Sequence, residues 1–284
     1  MEERNNDFPI KSVRKAMDIL DILSAARRPL RIGEIAAATR MSASAVSRLV
    51  TTLARGALVH QDDETGRCYL GLGLMVLGAN AVGRAALNQI AMPIMDELAN
   101  RIRGSVGLSR LARGKAAIVR AQPSSQNHHG VSFTVVAPFH ACAPGKMLAT
   151  ALSTDKILEM TANYGMDPIT TFTITDPERF IAAVEGARAD GFALDNQESC
   201  YNHRHVACPI FNHQGSVVAT LSAGGALSDF PWQDVPALIH SLSHGCLRIS
   251  RELGYVGDTH VNIEGFDANR YEASPIGIDQ QSIS

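Results

Sequence analysis

Gly33-Glu34-Ile35-Ala36-Ala37-Ala38-Thr39-Arg40-Met41-Ser42-Ala43-Ser44-Ala45-Val46-Ser47-Arg48-Leu49-Val50-Thr51-Thr52-Leu53 is the stretch on which the reading of this chain turns. Ile32 to Thr39 reads as a short helix and Arg40-Met41 as a tight turn. Ser42 caps a following helix whose apolar face is Val46, Leu49, Val50 and Leu53. Upstream, Val13, Ala16, Met17, Leu20 and Leu23 recur at three- and four-residue steps. Ser12 to Ala26 is therefore a first helix, with Ser12 placed to cap it and Arg27-Arg28-Pro29 to stop it. Three helices with a short second turn make a helix-turn-helix pattern. After Gly56, Ala57-Leu58-Val59-His60 and Arg67-Cys68-Tyr69-Leu70 flank the polar turn Asp62-Asp63-Glu64-Thr65-Gly66, which reads as a hairpin and supplies a wing.

Charge follows the same division. The whole 284-residue chain is formally -2, which taken alone argues against nucleic acid. Between Lys11 and His60, however, nine Lys/Arg face three acids, about +6, whereas from Leu72 onward 15 basic residues meet 19 acidic ones, about -4. A basic N-terminal module precedes an acidic remainder, and the chain is long enough for two domains. Tyr69 to Gly83, the longest uncharged apolar stretch, is too short to cross a bilayer, and the polar start Met1 to Asp7 is no signal sequence. A cytoplasmic protein without membrane contact is expected. Its five cysteines, with no C-x-x-C pair, are expected to be reduced thiols.

Gly71 to Leu87 reads as an interdomain helix with more apolar surface than a solvated linker needs, so it is expected to pack on another subunit. Glycines 71, 73 and 78 do not make a dinucleotide fingerprint, because Val76 occupies the third required place and no suitable strand precedes them. From Asn88 the expected order is a helix to Arg103, a hairpin around Ala112 to Lys115 and a strand near Val131 to Val136. Helices follow at Lys146 to Ser153 and Asp176 to Asp190, then strands at Phe192 to Leu194, His205 to Phe211 and Ser216 to Leu221, and a closing helix at Asp234 to Leu253. The fold class is α+β, in two domains: residues 11–71, a helix over 72–87, residues 88–255, and a tail over 256–284 read as flexible or draped on the surface.

Val13-Arg14-Lys15-Ala16, Gly33-Glu34-Ile35-Ala36, Val46-Ser47-Arg48-Leu49 and Tyr69-x-Leu-Gly together resemble the DNA-binding half of the isocitrate-lyase-regulator (IclR) family. Pro138-Phe139-His140-Ala141-Cys142-Ala143-Pro144-Gly145-Lys146 is similar to that family's P-L-H-x-x-A-x-G-K segment. Phe192-Ala193-Leu194-Asp195, Pro209-Ile210, Gly215 and Leu221-Ser222 match its distal block in spacing. The resemblance spans roughly residues 11–255 and implies a winged helix-turn-helix followed by a GAF-like antiparallel-sheet effector domain. It further implies a bacterial repressor or other transcription regulator, homo-oligomeric as dimer or tetramer, that binds an operator and a small organic or aromatic acid. The chain departs from the family at Gln197-Glu198, where Glu-Glu is usual, and at His205, where the family carries a pocket cysteine.

On the third helix, Ala43, Ser44, Ser47, Arg48 and Thr51 lie opposite the apolar face, where short side chains permit close approach to base edges in the major groove. Arg48 is the candidate base reader. Arg14, Lys15, Arg28, Arg40 and Arg67, with Arg27 and Arg55, are candidate phosphate contacts, which add affinity without sequence information. By resemblance, the effector pocket lies between the sheet and the Ala143-Pro144-Gly145 turn and is lined by Asp195, His205, Ser222 and Gly224. In that reading Gly145 and Lys146 offer a positive helix end to a carboxylate, and Asp195 orients His205. His140 reads as structural.

The alternative reading is a ligand- or metal-binding interaction protein whose helical module meets protein rather than DNA. Cys200, His203, His205 and Cys208 cluster, but Cys200-x7-Cys208 is not a closed-site spacing, so no metal and no cofactor is called for. Ser222, His205 and Asp195 resemble a hydrolytic set only in residue type. No nucleophile-elbow pattern surrounds Ser222, and no catalytic residue is assigned.

Overall fold

The computed structural model describes residues 10–26, 28–83, 86–122, 136–258 and 261–271. The chain divides into two compact units, Met1–Arg84 and Ala85–Ser284.

In the first unit, α1 (Lys11–Ala25), α2 (Ile32–Thr39) and α3 (Ala43–Arg55) pack around Ile19, Leu23, Ile35, Val46 and Val50. Ser12 does not cap α1: the helix begins one residue earlier, after Ile10, and has no side-chain cap. At α2 the Arg31 N–H donates to Glu34 Oε2 at 2.7 Å, satisfying one of the donors a helix start leaves open. The turn into α3 uses Arg40 in the left-handed region (φ 55°), and Ser42 Oγ accepts the Ala45 N–H at 3.3 Å, as its spacing predicts.

The wing is a hairpin of β1 (Val59–Gln61) and β2 (Cys68–Leu70) in the register Val59↔Leu70, closed by Asp62 Oδ1 accepting from the Thr65 N–H at 2.7 Å. Leu30 and Cys68 exchange both backbone hydrogen bonds, at 3.0 and 2.7 Å, so the α1–α2 loop extends this sheet. Gly71 and Gly73 sit against the Ala57 turn, where a Cβ would lie 2.2 and 2.7 Å from the Ala57 carbonyl oxygen. Close packing, not a phosphate, accounts for those glycines. The Gly73 N–H donates to Ala57 O at 2.8 Å, tying the start of α4 (Gly73–Gly83) to the end of α3.

The second unit is one six-stranded antiparallel sheet, order β5-β4-β3-β8-β7-β6. Its strands are β3 (Ser105–Ala112), β4 (Lys115–Gln122), β5 (Val136–Pro138), β6 (Ala193–Asn196), β7 (His203–Phe211) and β8 (Val217–Ala226). Alternation along these strands sends Val106, Leu108, Val206, Cys208, Leu221 and Ala223 to one face, where they pack with α5 (Ala86–Arg101) and α9 (Val235–Glu252). The other face carries small and polar side chains under α6 (Ala143–Ala149), whose residues are all buried.

Helix α6 begins three residues before its expected start, because Pro144 suits a first helical turn. Ser153 caps α7 (Thr154–Tyr164), a helix that periodicity alone did not reveal; α8 (Pro177–Asp190) follows. The expected strand over 131–135 and Arg27 lie outside the described residues. So do 259–260 and 272–284 of the tail. Residues 261–271 lie draped on the second unit, one of the two expected alternatives. Val261, Ile263, Phe266 and Tyr271 pack on the core, Phe266 and Tyr271 lie 6.2 and 6.1 Å from Phe192, and the Tyr271 hydroxyl donates to Asp190 at 3.2 Å.

Candidate functional site

The first candidate surface is the outer face of α3. Val46, Val50 and Leu53 are buried, and Ala43, Ser44, Ser47, Arg48 and Thr51 are all exposed on the opposite side. The Thr51 hydroxyl donates to Ser47 O at 2.9 Å, so its proton is already committed and its remaining outward chemistry is an acceptor lone pair and a methyl group.

The basic residues around α3 divide into two sets. Arg14 pairs with Asp18 at 3.0 Å, Arg67 donates to Pro29 O at 3.1 Å, and Arg28 pairs with Glu34 at 2.6 Å. The Arg28 hydrogen bond, then that from the Arg31 N–H, draws the Glu34 carboxyl down to about 2. By contrast Lys15, Arg40 and Arg48 are exposed and have no carboxylate within ion-pair distance among the described residues. Lys11, Arg14, Lys15 and Arg40 also line a cleft of about 510 Å³ between α1 and the α2–α3 turn.

The second site is a pocket of about 220 Å³ between the polar face of the sheet and the start of α6. Of the residues expected there, Pro144, Asp195, His205 and Ser222 line it. Ala143, Gly145 and Gly224 shape it from behind. A Cβ on Gly145 would fall 2.0 Å from the Phe139 carbonyl oxygen, and one on Gly224 would meet Arg204 O at 2.1 Å and the His205 ring at 2.5 Å. Gly224 stands opposite His205 in the β7–β8 register, and its missing side chain makes room for the imidazole.

Lys146 is not a pocket cation. It is buried, donating to Leu194 O at 2.8 Å and to the Glu198 carboxylate. Glu198 is itself raised well above the carboxylate range by burial; Lys146 opposes that shift and Asp195 adds to it.

Asp195 is 1% exposed and accepts from the Glu198 N–H at 2.8 Å, the Ser199 N–H at 3.2 Å and the Ser199 hydroxyl. Its second oxygen faces His205 Nδ1 at 3.6 Å. Burial pushes the Asp195 carboxyl up, but His205, then Ser199 and Lys146, outweigh it and hold the group below its ordinary value. With Nδ1 turned to Asp195, the His205 ring keeps Nε2 for a ligand.

The sequence reading missed Ser105, Gly107 and Ser109 of β3, together with Cys142, Cys200 and His203. Alternation with the buried Val106 and Leu108 was the available signal for the β3 set. Ser109 Oγ is buried without a hydrogen-bond partner, an unfilled polar demand in the wall. Cys142 is a neutral thiol there, pushed up to about 12 by burial. His203 and His205 stack with centroids 6.2 Å apart, yet no group of three or more metal-binding side chains occurs among the described residues. Ser222 Oγ donates to Gly107 O at 3.4 Å. His140 Nε2 contacts Asp167 O at 3.1 Å, and burial lowers its pKa.

A winged helix-turn-helix joined to a domain with a ligand-sized pocket defines a ligand-responsive DNA-binding protein. The IclR helix-turn-helix domain matches residues 12–63, and the bacterial transcriptional regulator IclR C-terminal domain matches residues 79–251. The chain belongs to the IclR family of bacterial transcriptional regulators, and its function is regulation rather than catalysis.

The HTH-type transcriptional regulator XynR of Escherichia coli is 27% identical over 249 residues, 87% of this chain and 98% of that protein. The regulator KdgR of Escherichia coli is 27% identical over 247 residues, 87% and 94% of the two chains. Among solved structures, Thermotoga maritima IclR matches with a TM-score of 0.59 at 25% identity, covering 86% of this chain and 99% of that one. An IclR homologue from Microbacterium hydrocarbonoxydans complexed with 4-hydroxybenzoate matches with a TM-score of 0.66 at 20% identity, covering 85% and 98%. Among the described residues no helix is long and apolar enough to cross a membrane.

Proposed function

We propose that this chain is a cytoplasmic, homo-oligomeric operator-binding protein whose affinity for DNA is set by a small organic or aromatic acid held between the sheet and α6. Residues 11–71 form the DNA-binding domain, 72–87, which includes α4, the connection, and 88–255 the effector domain. In this reading α3 enters the major groove, with Arg48 reading a base and Ala43, Ser44, Ser47 and Thr51 beside it. Arg14, Lys15, Arg28, Arg40 and Arg67 meet phosphates; those already holding an acid exchange that partner on binding.

One observation carries the effector assignment. His205 faces a buried, ionised Asp195 in the wall of a pocket that also holds the unpartnered Ser109 hydroxyl. Such a wall offers a charge-assisted donor to a carboxylate or phenolate and a hydroxyl to a second polar group. The 4-hydroxybenzoate held by the Microbacterium homologue has that chemistry, which supports the class. Binding shifts the balance between arrangements of the effector domains, and α4, anchored to the end of α3 through Gly73 and Ala57, transmits the shift to the recognition helices.

Fluorescence anisotropy on operator fragments, with a panel of benzoates and short hydroxy acids added, tests this. The expected result is a saturable change in DNA affinity with at least one acid. DNA affinity indifferent to every acid that binds the protein overturns the mechanism.

A further inference from the structure

A second cavity, about 410 Å³, lies beside β6 and α8 and shares no lining residue with the effector pocket. Its buried end is the Lys146–Glu198 ion pair, its walls include Ile174, Ala183 and Phe192, and Arg179 stands exposed at its rim. Hydrogen bonds join the two cavities: the Glu198 N–H of this one donates to Asp195 of the effector pocket at 2.8 Å, and the Ile169 N–H of that pocket donates to Thr173 Oγ1 at 3.0 Å.

Several polar side chains of this second cavity are satisfied from within the protein. The Thr173 hydroxyl donates to Glu198 O at 2.7 Å, Asn196 binds Arg204 and the Tyr271 carbonyl, and Asp190 holds Arg270 and the Tyr271 hydroxyl. Glu198 is the exception. The residue is 6% exposed, its Oε1 is occupied by Lys146, and its Oε2 has no partner. A buried acceptor left without a donor is costly, so this wall demands one.

The charges nearby select which donor. Lys146 already sits on the same carboxylate and Arg179 and Arg270 stand at the rim, so a ligand ammonium is repelled and a neutral hydroxyl is not. Arg179 has no carboxylate partner among the described residues and favours an anion at the outer end. We infer that this cavity is a second small-molecule site, taking a hydroxylated organic acid with its hydroxyl on Glu198 Oε2, its apolar body along α8 and its carboxylate at Arg179.

Gly186 of α8 provides the test, because it lines the cavity and nothing lies within 4 Å of where its Cβ would be. Gly186→Leu therefore fills the cavity without meeting backbone, and Gly186→Ala leaves it open. Calorimetric titration of the full chain with 4-hydroxyphenylacetate is expected to show a binding event that Gly186→Leu abolishes and Gly186→Ala and His205→Ala retain. At this site Arg179→Ala, or phenylacetate as the probe, is expected to bind about ten-fold more weakly. Binding that Gly186→Leu leaves unchanged, or no heat from the probe at millimolar concentration, overturns the inference. Loss of an event only in His205→Ala reports on the effector pocket and, with nothing lost in Gly186→Leu, also counts against this site.

Discussion

His205 Nδ1 lies 3.6 Å from Asp195 Oδ2, and the carboxylate it faces is 1% exposed. One ring nitrogen is thus turned toward the carboxylate, and the other is left for an anionic effector. His205→Ala is expected to weaken effector binding by about ten- to a hundred-fold, the range for a charge-assisted hydrogen bond. Effector-free operator affinity is expected to hold, since the substitution lies in the other unit. Calorimetry for the ligand and anisotropy for the operator check both halves. Equal loss of the two activities makes His205 a support of the fold, and unaltered ligand affinity makes it a packing residue.

Arg48 and Lys15 are both exposed, but they are expected to act differently. Arg48→Ala should cost about 1 to 3 kcal/mol on the specific operator and little on random DNA. Lys15→Ala should weaken all sequences alike and reduce the slope of log affinity against log salt by about one. A salt series on both DNAs measures this. Arg48→Ala with both affinities unchanged overturns the placement of α3 in the groove.

Ser42 caps α3, the second helix of the motif, by accepting the Ala45 N–H at 3.3 Å. Ser42→Ala is expected to destabilise the N-terminal unit by about 1 kcal/mol. Thermal unfolding followed by circular dichroism reads the loss, and a stabilised variant contradicts the capping role.

Asp195 and Glu198, both buried in the second unit, give opposite pH trends. Glu198 is raised in the folded state, so its contribution is complete below the ordinary carboxylate range and is lost as pH rises through its folded value. Asp195 is lowered, so its contribution is present above that range and is lost on acidification. Denaturant unfolding between pH 5 and pH 8 is expected to show a decline toward the alkaline side that Glu198→Gln flattens. An unchanged slope in Glu198→Gln contradicts the raised value.

Leu72 and Met75, at the start of α4, are 77% and 70% exposed, a large apolar surface for one chain to leave in water. A recognition helix also covers too few base pairs for genomic specificity. The protein is expected to run as a dimer or tetramer in light scattering, and Met75→Glu to shift it toward monomer. A monomer at micromolar concentration, with and without DNA, removes the coupling mechanism.

The helix-turn-helix was legible because its signals are local: Ser42 at a cap, Val46 and Val50 at helical spacing, and Asp62 to Gly66 at a turn. The Leu30–Cys68 bridge was not, because a single pair of backbone hydrogen bonds joining residues 38 apart leaves no periodic trace. The pocket was half legible. Asp195, His205 and Ser222 came from resemblance, while Ser105, Gly107 and Ser109 were hidden because small residues in a strand carry no hydrophobic signal of their own. Lys146 was read with Gly145 as a positive helix end for a carboxylate, whereas its long side chain reaches Glu198, 52 residues further on. For the tail, composition left flexible and draped alternatives open, because four apolar side chains among polar ones give no periodic signal yet suffice to pack when Phe192 and Trp232 await them.

The alternation along β3 has an evolutionary consequence. Val106 and Leu108 belong to the core, while Ser105, Gly107 and Ser109 line the pocket, so neighbouring codons specify different parts of the domain. Drift at the odd-numbered positions reshapes the pocket wall without entering the hydrophobic cluster under α5 and α9. Drift at the even-numbered positions threatens the whole domain. A lineage carrying this strand can change its metabolic signal one residue at a time, without passing through an unfolded ancestor.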